Sequence, residues 1–289
     1  MSGDISPLVT CFQPEHLEDP VLVMVCGGWV DAAGSANACR ERLRAPGTGR
    51  LIARFDADRL LDHRARRPTV HLVDGVSRRL EWPAIELHLV ETDGDRDILL
   101  LDGPEPDHEW RGFAASVVDL CHRLGVGLVV GLGAYPAAVP HTRPTRLSCT
   151  ASSPDLTREL DFVTATLEVP AGIQAVIEVE AARSGIRAVG IWAQVPHYLS
   201  TSSYPPASLA LLEAFTSLTD CAVDVGPLSE KALATRARLD DLVTRNPDHV
   251  TMLEQLEVAY DDLHDLGSRL PSGDDLAAEL ERYLRNRDD

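Results

Sequence analysis

Lysine is nearly absent: among 289 residues Lys231 is the only one, and every other side-chain cation of the Lys/Arg class is arginine. With no lysine before position 231, the chain has neither the lysine of a phosphate-binding P-loop nor that of a kinase-type strand. Schiff-base chemistry would have to use Lys231, in a segment that reads as a surface helix. Positive charge is scarce as a whole, 27 Lys and Arg against 45 Asp and Glu, for a formal net charge of −18. Such a chain repels phosphate backbones and anionic lipid, so neither nucleic acid nor a membrane is expected as a partner. The six cysteines (11, 26, 39, 121, 149 and 221) include no two at the short spacing of a zinc knuckle or a redox dithiol, and all six are expected to be reduced. No stretch approaches the ~20 apolar residues of a membrane span, and the N-terminus has neither a basic segment nor a continuous apolar one. A cytoplasmic protein is expected. There is no Gly-x-Ser-x-Gly turn, no internal repeat and no low-complexity tract.

What is present is a core. The chain is 44% hydrophobic, too apolar for a disordered polymer. Short apolar runs bounded by turn residues recur at 21–26, 51–55, 69–73, 85–90, 98–101, 127–132 and 188–193. Several are continuous rather than alternating, which suits strands buried on both faces. Between them lie helical patterns at 32–43, 110–124, 172–182 and 208–218; in the second, Phe113, Val117, Leu120 and Leu124 fall on one face. Strands alternating with helices predict an α/β sheet covered on both sides. Residues 51–101 carry several strand signals and little helix, so a β-rich hairpin or meander is expected to be inserted there.

From Pro227 the pattern is helical only. Ser229 can cap a helix running to about Arg245, and Asn246-Pro247 supplies a cap followed by a proline at the first helical position. Ser272 with Asp275 offers a further start, with Leu276, Leu280, Tyr283 and Leu284 on one face. The expected organisation is an α/β domain over 1–226 and a helical appendage over 227–289. The stripe Val250, Leu253, Leu256, Tyr260, Leu263 and Leu266 must pack either on the protein's own core or on another chain.

In an open α/β sheet, ligands collect beyond the carboxyl ends of the strands, so polar residues just after apolar runs carry the information. Four places qualify. Gly27-Gly28-Trp29-Val30-Asp31 is either a tight turn with an acidic cap or a backbone approach to an anion. Asp102 to Trp110 sets Glu105 and Asp107 in a proline-framed loop, as an acid and base pair or as a shaped helix entry. Pro140-His141-Thr142-Arg143-Pro144 combines an imidazole, a hydroxyl and a guanidinium that can bind an oxyanion, unless Arg143 clamps a carboxylate such as Glu105. In the stretch from Trp192 to Tyr198, His197 is a ligand, a general base or a packed corner. The candidate cleft is therefore Gly28, Asp31, Glu105, His141, Thr142, Arg143 and His197. No spacing among them demands a metal, and no cofactor is expected. Cys121-His122 lies on a predicted helix, and Ser152-Ser153 and Ser202-Ser203 read as loop residues or caps.

These same places carry a resemblance. Gly28-Trp29-x-Asp31-Ala32, Arg67-Pro68-Thr69-Val70 with Asp74-Gly75, Gly103-x-Glu105-Pro106 with Trp110 and Phe113, Leu132-Gly133-Ala134, Pro140 to Pro144, and Trp192-Ala193 with Val195-Pro196-His197-Tyr198 occur in the order found in the second type of the proteasome assembly chaperone family, in its bacterial, actinobacterial-looking branch. The chain resembles that branch from about Asp19 to Pro227, and weakly beyond. The resemblance implies a three-layer αβα, phosphorylase-like fold, a homotrimer, and a cytoplasmic interaction or assembly protein rather than an enzyme, with a protein partner still to be named. Polar positions of the pattern are changed here: Leu167-Glu168-Val169-Pro170-Ala171-Gly172-Ile173 stands where the family usually reads Tyr-Glu-Gly-Pro-Thr-Gly-Ile, Pro205-Pro206-Ala207 where it reads Pro-Lys-Ala, and Ala138 where an acidic residue is common. The ending Arg287-Asp288-Asp289 also lacks the hydrophobic-Tyr-x signature that docks between proteasome α-subunits. If those positions formed a reaction centre in relatives, part of it is gone; the alternative expectation is a small-molecule-binding or hydrolase/phosphorylase-like role for the polar cleft.

Overall fold

The computed structural model describes residues 6–12, 16–28, 30–44, 49–90, 92, 94–160, 162–163 and 166–265. Trp29, the helix expected from Ser272 and the terminal Arg287-Asp288-Asp289 lie outside the described residues. In chain order the elements are β1 (Val9–Cys11), β2 (Val21–Gly27), α1 (Ser35–Leu43), β3 (Arg50–Phe55), α2 (Ala57–Leu60), β4 (Thr69–Val73), β5 (Val76–Glu81), β6 (Glu86–Val90), β7 (Ile98–Pro104), α3 (Trp110–Leu124), β8 (Leu128–Ala137), β9 (Leu147–Ala151), α4 (Pro154–Leu160), α5 (Ile173–Arg183), β10 (Arg187–Pro196), α6 (Pro205–Thr219), α7 (Gly226–Thr244) and α8 (Pro247–Asp265). Eight strands form one mixed sheet in the order β1-β3-β6-β7-β2-β8-β10-β9. Its centre, β7-β2-β8-β10, is parallel throughout. Antiparallel β6, β3 and β1 extend one side, and antiparallel β9 closes the other.

The continuous apolar runs are explained by helices on both faces. Val23, Val130 and Ile191 pack with Phe215 of α6 and Cys39 of α1, while their strand neighbours Leu22, Leu99 and Val129 pack with Phe113 of α3 and Ile177 of α5. The result is a three-layer αβα sandwich, each fully buried large side chain contributing ~1.5–3 kcal/mol by its removal from water. Helix α3 occupies the range its stripe predicts. Phe113 meets Phe55 edge to face at 4.7 Å, and the helix stops at Gly125, which is left-handed and donates its N–H to the final turn.

Within residues 51–101, β3, β6 and β7 belong to the main sheet, whereas β4 and β5 pair only with each other around a two-residue Asp74-Gly75 turn. After α6 the chain folds back as α7, packed on α6, and then α8, packed on α7. Among the described residues no helix is long and apolar enough to cross a membrane.

Candidate functional site

A cleft of about 1450 Å³ opens beyond the carboxyl ends of the central strands. Asp31 and Glu105 line it. The Asp31 carboxylate accepts the backbone N–H groups of Ala36 at 2.8 Å and Asn37 at 3.0 Å, filling the anion site at the start of α1 with the protein's own charge. Burial raises its pKa despite those bonds. Glu105 accepts the Ile173 N–H at 2.6 Å, where α5 begins, and its own N–H donates to the Gly27 carbonyl at 2.7 Å. Gly28 is a glycine because of this contact: a Cβ there would lie 2.6 Å from the Glu105 Cβ. Gly28 thus makes room for a side chain of the protein itself, and Glu105 ties the ends of β2 and β7 to α5.

Further carboxylates line the same cleft. Asp102 is buried between Arg40 at 3.0 Å and Arg44 at 2.6 Å. Glu86 contacts His88 at 2.9 Å and Arg54 at 2.7 Å; the hydrogen bond with His88, helped by Arg54, holds its pKa down at about 2. Glu178 on α5 is different: among the described residues only the Thr150 hydroxyl, at 2.8 Å, donates to it, and burial pushes its pKa up to about 6. One turn earlier, Gln174 donates to the carbonyls of Leu132 at 3.0 Å and Met24 at 3.3 Å, and its buried Oε1 has no donor among the described residues. Cys26 and Cys149 also line the cleft, and burial raises both thiol pKa values, Cys26 to about 12, which disfavours the thiolate that a nucleophile needs.

The Pro140–Pro144 segment belongs elsewhere. His141 is buried under α7, its amide N–H donating to the Tyr198 hydroxyl at 2.9 Å while that hydroxyl meets Nδ1 at 2.7 Å. Nε2 lies 3.3 Å from the Asp240 carboxylate but off hydrogen-bond geometry. Desolvation lowers the His141 pKa. Thr142 donates to Glu257, and Arg143 grips Asp261 through two bonds at 2.9 and 2.6 Å with Glu257 at 3.2 Å. Tyr260 of the expected apolar stripe is buried against Ala137 and Val139, its hydroxyl donates to the Pro144 carbonyl at 3.0 Å, and Arg146 lies 4.0 Å above its ring. Arg143 is therefore not a clamp on Glu105: the segment receives the chain's own C-terminal helices. His197 is exposed, edge-on to the Tyr198 ring at 5.4 Å.

The seven candidate residues thus fall into separate settings. Gly28, Asp31 and Glu105 sit at or beside the cleft; His141, Thr142 and Arg143 lie under α7 and α8; His197 faces solvent. Among the described residues no three His, Cys, Asp or Glu side chains are placed to hold a metal ion. Sequence reasoning passed over Gln174 and Glu178, whose signal is faint: two polar residues four apart on α5, in a segment otherwise read only for its apolar face.

The sequence pattern of the PAC2 family matches residues 25–243. Among solved structures the chain is similar to a PAC2 family protein from Streptomyces avermitilis, at 37% identity over 81% of this chain and 100% of that one, with a TM-score of 0.74. It is similar to a proteasome-assembly chaperone homologue from Mycobacterium tuberculosis at 32% identity, over 82% of this chain and 99% of that one, with a TM-score of 0.74. A second M. tuberculosis protein, of unknown function, is 29% identical over 97% of each chain, with a TM-score of 0.84. No curated protein matches.

Proposed function

We propose that this chain, which belongs to the PAC2 family, is a non-enzymatic interaction or assembly protein that works as a homo-oligomer, with the homotrimer as its expected form. One contrast carries the reading. Asp31, His141, Thr142 and Arg143 are already engaged by the protein's own groups, whereas Val70, Leu72, Val73, Val76 and Leu80 of the β4–β5 ribbon stand 45–59% exposed. A lone two-stranded ribbon is marginal in water, and an exposed apolar one marks a contact surface. Arginines 64, 67 and 78, beside or on the ribbon, add positive charge in a chain of charge −18, a complement to the acidic surface of another copy, while Arg66 is held by Asp107 and Arg79 by Glu81. The free thiols support a reducing, cytoplasmic location, and we treat residues 227–289 as an appendage to the α/β domain. The M. tuberculosis relative is described as a proteasome-assembly chaperone homologue, which makes proteasome subunits the first partners to test.

Sedimentation of wild type and Leu72→Asp tests self-assembly: the wild type is expected to sediment as an oligomer and the variant as a folded monomer. A monomeric wild type, or turnover of nucleosides, peptides or ATP at about 1 per second or faster, overturns the reading. The cleft supports a second reading, a small-molecule-binding or hydrolase/phosphorylase-like protein, because Asp31 and Glu105 with their raised pKa values both line it.

A further inference from the structure

We propose that the cleft is a docking groove for a polypeptide segment of a partner protein, one that presents a basic side chain flanked by apolar ones. The inference rests on reading the chain as an interaction protein. Size is the first argument. At about 1450 Å³ the cleft exceeds the roughly 300–1,000 Å³ of small-molecule pockets, and so suits a length of chain rather than a metabolite. Its rim is apolar and accessible: Trp82 is 51% exposed, Val169 43% and Leu167 37%.

Charge is the second argument. Glu105 and Glu178 are half-buried carboxylates on the groove wall, and among the described residues neither has a cationic side chain within ion-pair distance. They differ in this from Asp102 and Glu86, whose charges arginines and a histidine already balance. The Gln174 Oε1, on α5 one turn before Glu178, is a further acceptor without a donor among the described residues. Desolvated acceptors left without a cation are costly, and a lysine or arginine entering the groove relieves that cost. The third argument is the floor. A Cβ at Gly133 would lie 2.3 Å from the Trp192 ring, so the glycine lets the indole lie close against β8; its buried Nε1 has no acceptor among the described residues, and Trp192 lines the groove. An aromatic surface beside unpaired carboxylates suits a cation with an apolar stem.

The test is fluorescence anisotropy of the full chain with fluorescein-labelled, end-capped peptides alternating leucine with lysine, glutamine or glutamate, at ~0.15 M salt so that diffuse attraction to an acidic protein is screened. The lysine peptide is expected to bind about tenfold tighter than the glutamine one, and the glutamate peptide not measurably. Glu178→Gln is expected to weaken lysine-peptide binding about fivefold. Leu167→Arg, a change at an exposed rim residue that the fold tolerates, should abolish it. Glu213→Gln, at an exposed position on α6, should leave it unchanged. Equal binding of the lysine and glutamine peptides, equal losses in Glu178→Gln and Glu213→Gln, or retained binding in Leu167→Arg each overturns the proposal. If the chain nevertheless sediments as an oligomer, the assembly reading stands and the groove assignment alone falls.

Discussion

Two regions that look alike in sequence, the loops ending β2 and β7 and the Pro140–Pro144 segment after β8, meet opposite fates. Both place charged residues just beyond apolar strands. The first opens on a cleft of about 1450 Å³, where Glu105 and, on α5, Glu178 have no cationic side chain within ion-pair distance among the described residues. The second is covered by α7 and α8, its histidine, threonine and arginine each meeting a group on those helices. What separates them is decided by residues over 90 positions away, such as the Arg236 that donates to the Thr142 carbonyl at 2.6 Å. Local chemistry nominates a site; long-range packing decides whether it is open.

The contrast can be broken most severely at Asp102. Removing this buried carboxylate leaves Arg40 and Arg44 facing one another, so Asp102→Ala is expected to cost about 3–5 kcal/mol in urea unfolding; a loss under about 1 kcal/mol would mean the arginines relax into water. On the covered side, Tyr260→Ala should cost about 3 kcal/mol, read chiefly as faster hydrogen exchange across α8. Unchanged exchange there would show that Tyr260 does not fasten the helix.

Next comes pH, where two carboxylates of one cleft act with opposite sign. Glu178 has its folded pKa raised from 4.5 to about 6, so the native state holds the proton more tightly and stability falls as pH rises from about 4.5 through 6. Glu178→Gln should remove that slope and stabilise the protein by about 1–2 kcal/mol at pH 7. Glu86, lowered to about 2, contributes stability present above 4.5 and lost as pH falls through 2, so Glu86→Gln should flatten the acid limb instead. A pH-stability curve that neither variant alters would contradict both assignments. The smallest effect is expected at exposed His197, where alanine should change stability by less than about 0.5 kcal/mol; a larger loss would return it to the candidate site.

The core elements were legible wherever periodicity was strong. Helix α3 follows from Phe113, Val117, Leu120 and Leu124 and from the glycine that ends it, and the central strands follow from runs such as Val21 to Cys26. Strands β5 and β9 were not read, for a physical reason: Val-Ser-Arg-Arg-Leu-Glu is exposed along its whole length, and Leu-Ser-Cys-Thr-Ala at the sheet edge buries only Cys149 fully, so neither carries a strong apolar pattern. In the candidate site, Asp31 and Glu105 were legible as residues of the strand ends. The acidic cap read at Asp31 is borne out by its bonds to the Ala36 and Asn37 N–H groups, whereas that Arg143 finds Asp261 at a separation of 118 residues, and that Glu178 has no cationic partner among the described residues, depend on contacts no local pattern encodes.

The most direct test of the assembly reading is native mass spectrometry of the protein isolated gently from its own host. The account predicts masses at integer multiples of 31.4 kDa, the trimer foremost, with a second polypeptide retained on a fraction of the complexes. A 31.4 kDa monomer carrying a small-molecule adduct and no companion chain would contradict it.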